Sequence, residues 1–109
     1  MNFCIFEEFK GSLTEQYVLQ QLKVNQDMPV YYWSAETGVA EVDFVIQFSG
    51  KVIPIEVKAE ENLHAKSLKS YYQKYNPEIT IRTSMSDYRE EGWLINIPLY
   101  AIGELTNII

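Results

Sequence analysis

Between Ser12 and about Asn25 apolar residues recur at helical spacing, with Leu13, Tyr17, Val18, Leu19, Leu22 and Val24, and this predicts a helix over the stretch. Val30 to Ser34 is β-branched and aromatic, Glu41 to Phe48 alternates, and Lys51 to Lys58 is again rich in Val and Ile, so three strands follow. A second helix is predicted over about Leu63 to Tyr75, where Leu68, Tyr71, Tyr72 and Tyr75 share a face. Ile79 to Thr83 and Leu94 to Ile97 read as two more short strands. Turn signals at Gly11-Ser12, Asp27-Met28-Pro29, Thr37-Gly38, Ser49-Gly50, Asn76-Pro77 and Glu91-Gly92 punctuate these elements, with no internal repeat. The predicted order is α-β-β-β-α-β-β, one α/β domain.

The second and third strands form the most informative unit. Phe48-Ser49-Gly50-Lys51 reads as a two-residue hairpin turn, with Gly50 free to take positive φ, so Phe48 is expected opposite Lys51. Extended along the hairpin, that register puts Val42, Phe44, Ile46 and Phe48 on one face with Val57, Ile55, Ile53 and Lys51, a core face. On the other face it sets Asp43 opposite Glu56 and Glu41 opposite Lys58. Two carboxylates side by side repel one another, the more so as water is excluded. Two readings follow. Either a divalent cation such as Mg²⁺ compensates, since it takes one or two protein carboxylates and keeps several waters, or Lys58 and Glu41 neutralise the pair in a solvated ladder. Pro54 interrupts the third strand and implies either a bulge or an unpaired N–H side.

The first helix adds another acid. Glu15 shares the stripe of Val18, Leu19 and Leu22, and a carboxylate facing apolar neighbours needs a partner. It can lie at the edge of the sheet beside Asp43 and Glu56, or it can close the capping box Ser12-Leu13-Thr14-Glu15 and serve only the helix start.

An acid on a first helix, an Asp on a strand and Glu56-Val57-Lys58 on the next resemble the pattern of the PD-(D/E)XK nuclease superfamily. More narrowly, the chain resembles the domain of unknown function that closes a family of prokaryotic AAA+ ATPases. The matching stretches are Gly11 to Val18, Tyr32-Trp33, Glu41 to Val45, Pro54 to Lys58 and Ile97 to Tyr100. The resemblance implies a restriction-endonuclease-like core, a mixed β-sheet flanked by helices, over residues 11–105, with a lead-in at 1–10 and a tail at 106–109. It also implies Mg²⁺- or Mn²⁺-dependent hydrolysis of a phosphodiester in nucleic acid. Asp43, Glu56 and the backbone carbonyl of Val57 would hold the metal, Glu15 would contribute directly or through water, and Lys58 would orient the attacking water. The motif's leading proline is replaced by Val42. An alternative of a different class is a non-catalytic interaction or regulatory module that keeps this fold and serves an AAA+ ATPase. No G-x-x-x-x-G-K-[ST] loop occurs, so the chain does not cradle a nucleoside triphosphate by that route.

Composition narrows the partners. The 109 residues carry a formal charge of −6, which opposes non-specific coating of DNA and requires a local basic face or a bound cation for any contact with it. Lys66 and Lys69, among the tyrosines of the second helix, are the candidate nucleic-acid contacts, although a solvated lysine face over an aromatic core accounts for the same pattern. Tyr31, Tyr32 and Trp33 are expected to fill a sheet–helix interface. Cys4 is the single cysteine and His64 the single histidine, so the chain alone supplies no disulfide, thiolate zinc site or multi-histidine site. A cytoplasmic setting fits best. The first residues reach Glu7 and Glu8 too soon for a signal peptide or a membrane span.

Overall fold

The structure, a computed structural model, describes residues 3–24, 28–35, 41–59 and 66–109, with side chains described from Gly11 onward. Helix α1 runs over Phe3–Lys23, so it begins well before the turn signal at Gly11-Ser12. The residues ahead of Gly11 contain no proline and include Glu7, Glu8 and Lys10, all good helix formers. Gly11 and Ser12 are poor ones, but the packing of one long helix against the sheet outweighs a penalty of about 1 kcal/mol. Val18 and Leu22 anchor α1 in the core, while Leu13 and Tyr17 line its exposed side.

A six-stranded mixed sheet forms the centre, in the order β1-β2-β3-β4-β6-β5. Its strands are β1 (Val30–Ser34), β2 (Glu41–Phe48), β3 (Lys51–Lys58), β4 (Ile81–Ser84), β5 (Arg89–Glu91) and β6 (Leu94–Pro98). The first three are joined antiparallel, β3-β4-β6 run parallel, and β5 returns antiparallel along β6. Helix α2 (Lys66–Tyr75) lies on the crossover between the parallel strands β3 and β4, a connection that parallel pairing requires.

The β2–β3 hairpin has the register expected of its turn, from Phe48↔Lys51 to Phe44↔Ile55. Ser49 and Gly50 both take positive φ, 52° and 75°, as a type I′ turn demands. Pro54 produces no bulge against β2. It faces Val45, and alternation from the turn makes this a non-hydrogen-bonded pair, so the proline nitrogen is directed away from β2. On that other side pairing to β4 starts only at Ile55, so the missing N–H is never needed.

The sheet separates two apolar layers. On one face Val18 and Leu22 of α1 pack with Phe44, Ile46, Ile53 and Ile55. A 3-10 helix over Leu99–Glu104 and a short helix α3 (Leu105–Ile108) close this layer through Ile102 and Leu105, with partly buried Ile109 packed against it. On the opposite face Leu68 and Tyr71 of α2 meet Val42, Val45 and Leu94, with Trp33 and Trp93 at the margin. Trp33 packs edge-on against Tyr71 at 5.2 Å and Tyr75 at 6.1 Å between ring centroids, and its Nε1–H donates to the Tyr75 hydroxyl at 3.3 Å. Only Trp33 of the aromatic run fills an interface. Tyr31 and Tyr32 on the edge strand β1 are 55% and 83% exposed, because α1 packs over β3 and the 3-10 helix instead.

Candidate functional site

Where β1 meets β2 the register slips: Tyr31 pairs with Val45 but Trp33 with Val42. One residue of β1, Tyr32, therefore faces two of β2, Asp43 and Phe44. Such a bulge bends the strand and re-aims the side chains at it. Strict alternation along β2 ends here, and Val42, expected on the face of Phe44 and Ile46, joins the opposite layer with Val45 and Leu68. The regular β2–β3 ladder also stops, at Phe44↔Ile55. Beyond it the Val57 N–H, which a continued ladder would give to a backbone carbonyl of β2, donates to Asp43 Oδ2 at 2.8 Å. Asp43 thus holds the splayed end of the hairpin with its side chain. Val57, expected to offer its carbonyl, contributes its N–H to this contact.

The acid pair comes together despite the bulge. Glu56 is 9% exposed, and its pKa is raised to about 8, first by burial and then by the Asp43 carboxylate beside it, with Lys58 pulling the other way. Lys58 Nζ stands 3.7 Å from Glu56 Oε1, so the lysine pairs with the glutamate two residues before it on the same face and not with Glu41. The second carboxylate oxygen, Oε2, is buried without a hydrogen-bond partner. Glu15 reaches the same place from α1. Although much of the residue meets solvent, its pKa is raised by partial burial of the carboxyl, by a contact with Asp43 and by the charge of Glu41. Because α1 starts at Phe3, Ser12 is no N-cap, and the capping-box reading of Glu15 falls away.

Asp43 is accordingly the hub, with Glu56 on one side and Glu15 on the other. The three do not close around a common point: among the described residues no group of three or more His, Cys, Asp or Glu side chains is arranged to hold a metal ion. Two oxygen donors fit a hard cation that keeps most of its water, and the unpartnered Glu56 oxygen is the one such an ion would satisfy.

Lys66 and Lys69 are exposed on α2, and Tyr71 and Tyr72, which follow them, belong to the packing around Trp33 and Trp93. His64 lies outside the described residues. A shallow groove of about 230 Å³ lies at the turn end of the hairpin, between Lys51, Val52, Tyr75 and Pro77, away from the acids. Residues without a sequence signal complete the surroundings. The parallel ladder sets Arg82 beside Glu56 and Ser84 beside Lys58, with Asn96 next to Arg82 on β6, and all three are buried. A polar residue in a short apolar run hints at such a role, but its neighbours follow only from the crossover register.

Residues 10–101 match a family model described as Domain of unknown function (DUF4143). The chain belongs to the DUF4143 family. Every strand, α2 and the residues Glu15, Asp43, Glu56 and Lys58 lie inside the matched range of this DUF4143 domain. The family is generally associated with AAA-like ATPases, and the match carries no nuclease signature. No curated protein matches the chain. Among the described residues no helix is long and apolar enough to cross a membrane.

Proposed function

We propose that this DUF4143 domain binds Mg²⁺ or Mn²⁺ at Asp43 and Glu56, with Glu15 in support, and hydrolyses phosphodiester bonds of nucleic acid in the cytoplasm beside an AAA+ ATPase module. The observation that carries this reading is the buried, unpartnered Glu56 oxygen adjacent to Asp43. An orphaned buried carboxylate oxygen costs about 1 to 3 kcal/mol or more, and a cation offsets it. When bound, the ion would supply electrostatic stabilisation of charge on the phosphoryl oxygens. The chain's own groups would do the rest. Lys58, a donor with no acceptor capacity, sits where its ammonium can hold a water or a phosphate oxygen. Glu15, partly withdrawn from water, is placed to exchange a proton with water at Asp43. Asp43, fixed by the Val57 N–H, keeps its carboxylate oriented between Glu15 and Glu56.

The test is calorimetry with Mn²⁺ together with cleavage of plasmid and single-stranded DNA by the native chain, Asp43→Ala and Lys58→Ala. Binding and cleavage in the native chain, with binding lost in Asp43→Ala and cleavage lost in both variants, is the expected result. Equal backgrounds in all three would remove the catalytic assignment. A second reading, a non-catalytic module serving an AAA+ ATPase, is favoured by the absence of a three-ligand cluster among the described residues and by the charge of −6. Absence of Mn²⁺ binding at millimolar concentration would select it.

A further inference from the structure

Glu56 and Arg82 are neighbours in the parallel ladder and share a face of the sheet, since Arg82 also bonds its other neighbour Asn96 there. Adjacent strands lie about 4.8 Å apart, well within the reach of an arginine. A buried carboxylate and a buried guanidinium so placed would ordinarily pair, because each is costly to desolvate alone. Here they do not. Arg82, 3% exposed, turns toward β6: among its contacts, Nε–H donates to Asn96 Oδ1 at 2.9 Å and an NH2 group lies 3.4 Å from Glu91 Oε1. Glu56 keeps Oε2 unpartnered, one strand away.

The groups that hold Arg82 are themselves fixed. Asn96 Oδ1 also accepts from the Ser84 hydroxyl at 2.8 Å, and its Nδ2 donates to the carbonyls of Ser86 and Asp87 at 3.1 and 3.0 Å. The two carbonyl acceptors set the amide's orientation, so its oxygen faces the arginine. An aspartate at this position would lack those donors. Glu91, on the edge strand, is shared between Arg82 and Arg89, the latter at 3.1 Å.

We infer that Asn96 and Glu91 form a latch that holds the Arg82 guanidinium toward β6 and so keeps the Glu56 carboxylate open to a cation. Asn96, Glu91 and Arg82 are positioning residues, and the geometry stands apart from the cation reading while its consequence rests on it. Releasing the latch delivers a competing cation, the guanidinium, onto Glu56.

The test uses the full chain, Glu91→Gln, the double variant Asn96→Ala/Glu91→Gln, and both backgrounds with Arg82→Gln added. Each is crystallised and titrated with Mn²⁺. The guanidinium is expected to move onto Glu56 in the double variant and to weaken Mn²⁺ binding about tenfold, with Arg82→Gln restoring the affinity. A merely structural role of the network would not be rescued by a further deletion within it. Should the double variant not fold, Glu91→Gln, at a strand edge, is expected to show the same movement with about a threefold loss, again reversed by Arg82→Gln. A guanidinium that stays on β6 in the released variants, or a loss of affinity that Arg82→Gln does not reverse, overturns the latch. A native chain that binds no Mn²⁺ while the guanidinium moves on release retains the latch and removes the cation reading.

Discussion

Replacing Glu56 with glutamine isolates the cost of keeping an acid at this position. Glu56 is raised from 4.5 to about 8 in the folded chain, chiefly by burial and by Asp43, so between these limits the folded state holds a proton that the unfolded chain has released. Folded stability is then fully present below pH 4.5 and is lost as pH rises toward 8. At 1.36 kcal/mol per pH unit the loss is about 1 kcal/mol at pH 5, about 3 at pH 7 and about 4 at pH 8. Gln keeps the shape and carries no charge, so Glu56→Gln removes the pH-dependent part. The attraction of half-buried Lys58, 3.7 Å away, is already contained in the value of about 8. The net expectation is a variant within about 1 kcal/mol of the native chain at pH 5 and more stable than it by about 4 kcal/mol at pH 8. Urea denaturation in EDTA at pH 5, 7 and 8 measures this. A difference between the two proteins that does not grow with pH, or a variant less stable at pH 8, would refute the account of a carboxyl held protonated by its burial and by Asp43.

Three further outcomes follow from the geometry. Gly11→Ala should raise stability by about 0.5 to 1 kcal/mol, since a Cβ there meets nothing within 4 Å; loss of stability in a thermal melt would mean that α1 is not continuous through this residue. Asp43→Ala, measured at pH 5 where Glu56 holds its proton, should destabilise by about 1 to 3 kcal/mol because the Val57 N–H loses its acceptor, and a neutral result in urea would discount that bond. The Thr83 hydroxyl is fully buried without a partner, so Thr83→Val should gain about 1 kcal/mol; an equal loss in the same assay would show that the hydroxyl is satisfied.

The hairpin was legible because two local constraints agree. The Ser49-Gly50 turn fixes the pairing, and the period of two along β2 and β3 fixes the faces. That legibility ends at Asp43, where a contact with a third strand, Tyr32 of β1, inserts the bulge; nothing in the residues of β2 announces it. The meeting of Asp43 with Glu56 survives, but Lys58 pairs with Glu56 and not with Glu41. The role of Glu15 depended on where α1 starts, and a start at Phe3 separates it from capping. The short strand Arg89–Glu91 has no apolar alternation to reveal it. The neighbours Arg82, Ser84 and Asn96 are set by parallel pairing across a helical crossover, which local pattern does not encode. Tyr31 and Tyr32 show the converse limit: an aromatic run predicts burial, yet α1 covers other strands.

The crossover also divides the polar row in time. Asp43 and Glu56 are brought together by a hairpin with a two-residue turn, the kind of element that closes in about 1 to 10 μs. Arg82 and Asn96 reach that row only after the chain has looped through α2 and laid down β4 and β6, whose parallel pairs join residues as distant as Ile55 and Ile81. Pairing of such high contact order forms slowly. The acids are therefore assembled early and wait for their surroundings, so divalent ions present during refolding would find a nascent hairpin already bearing two carboxylates, before the arginine arrives.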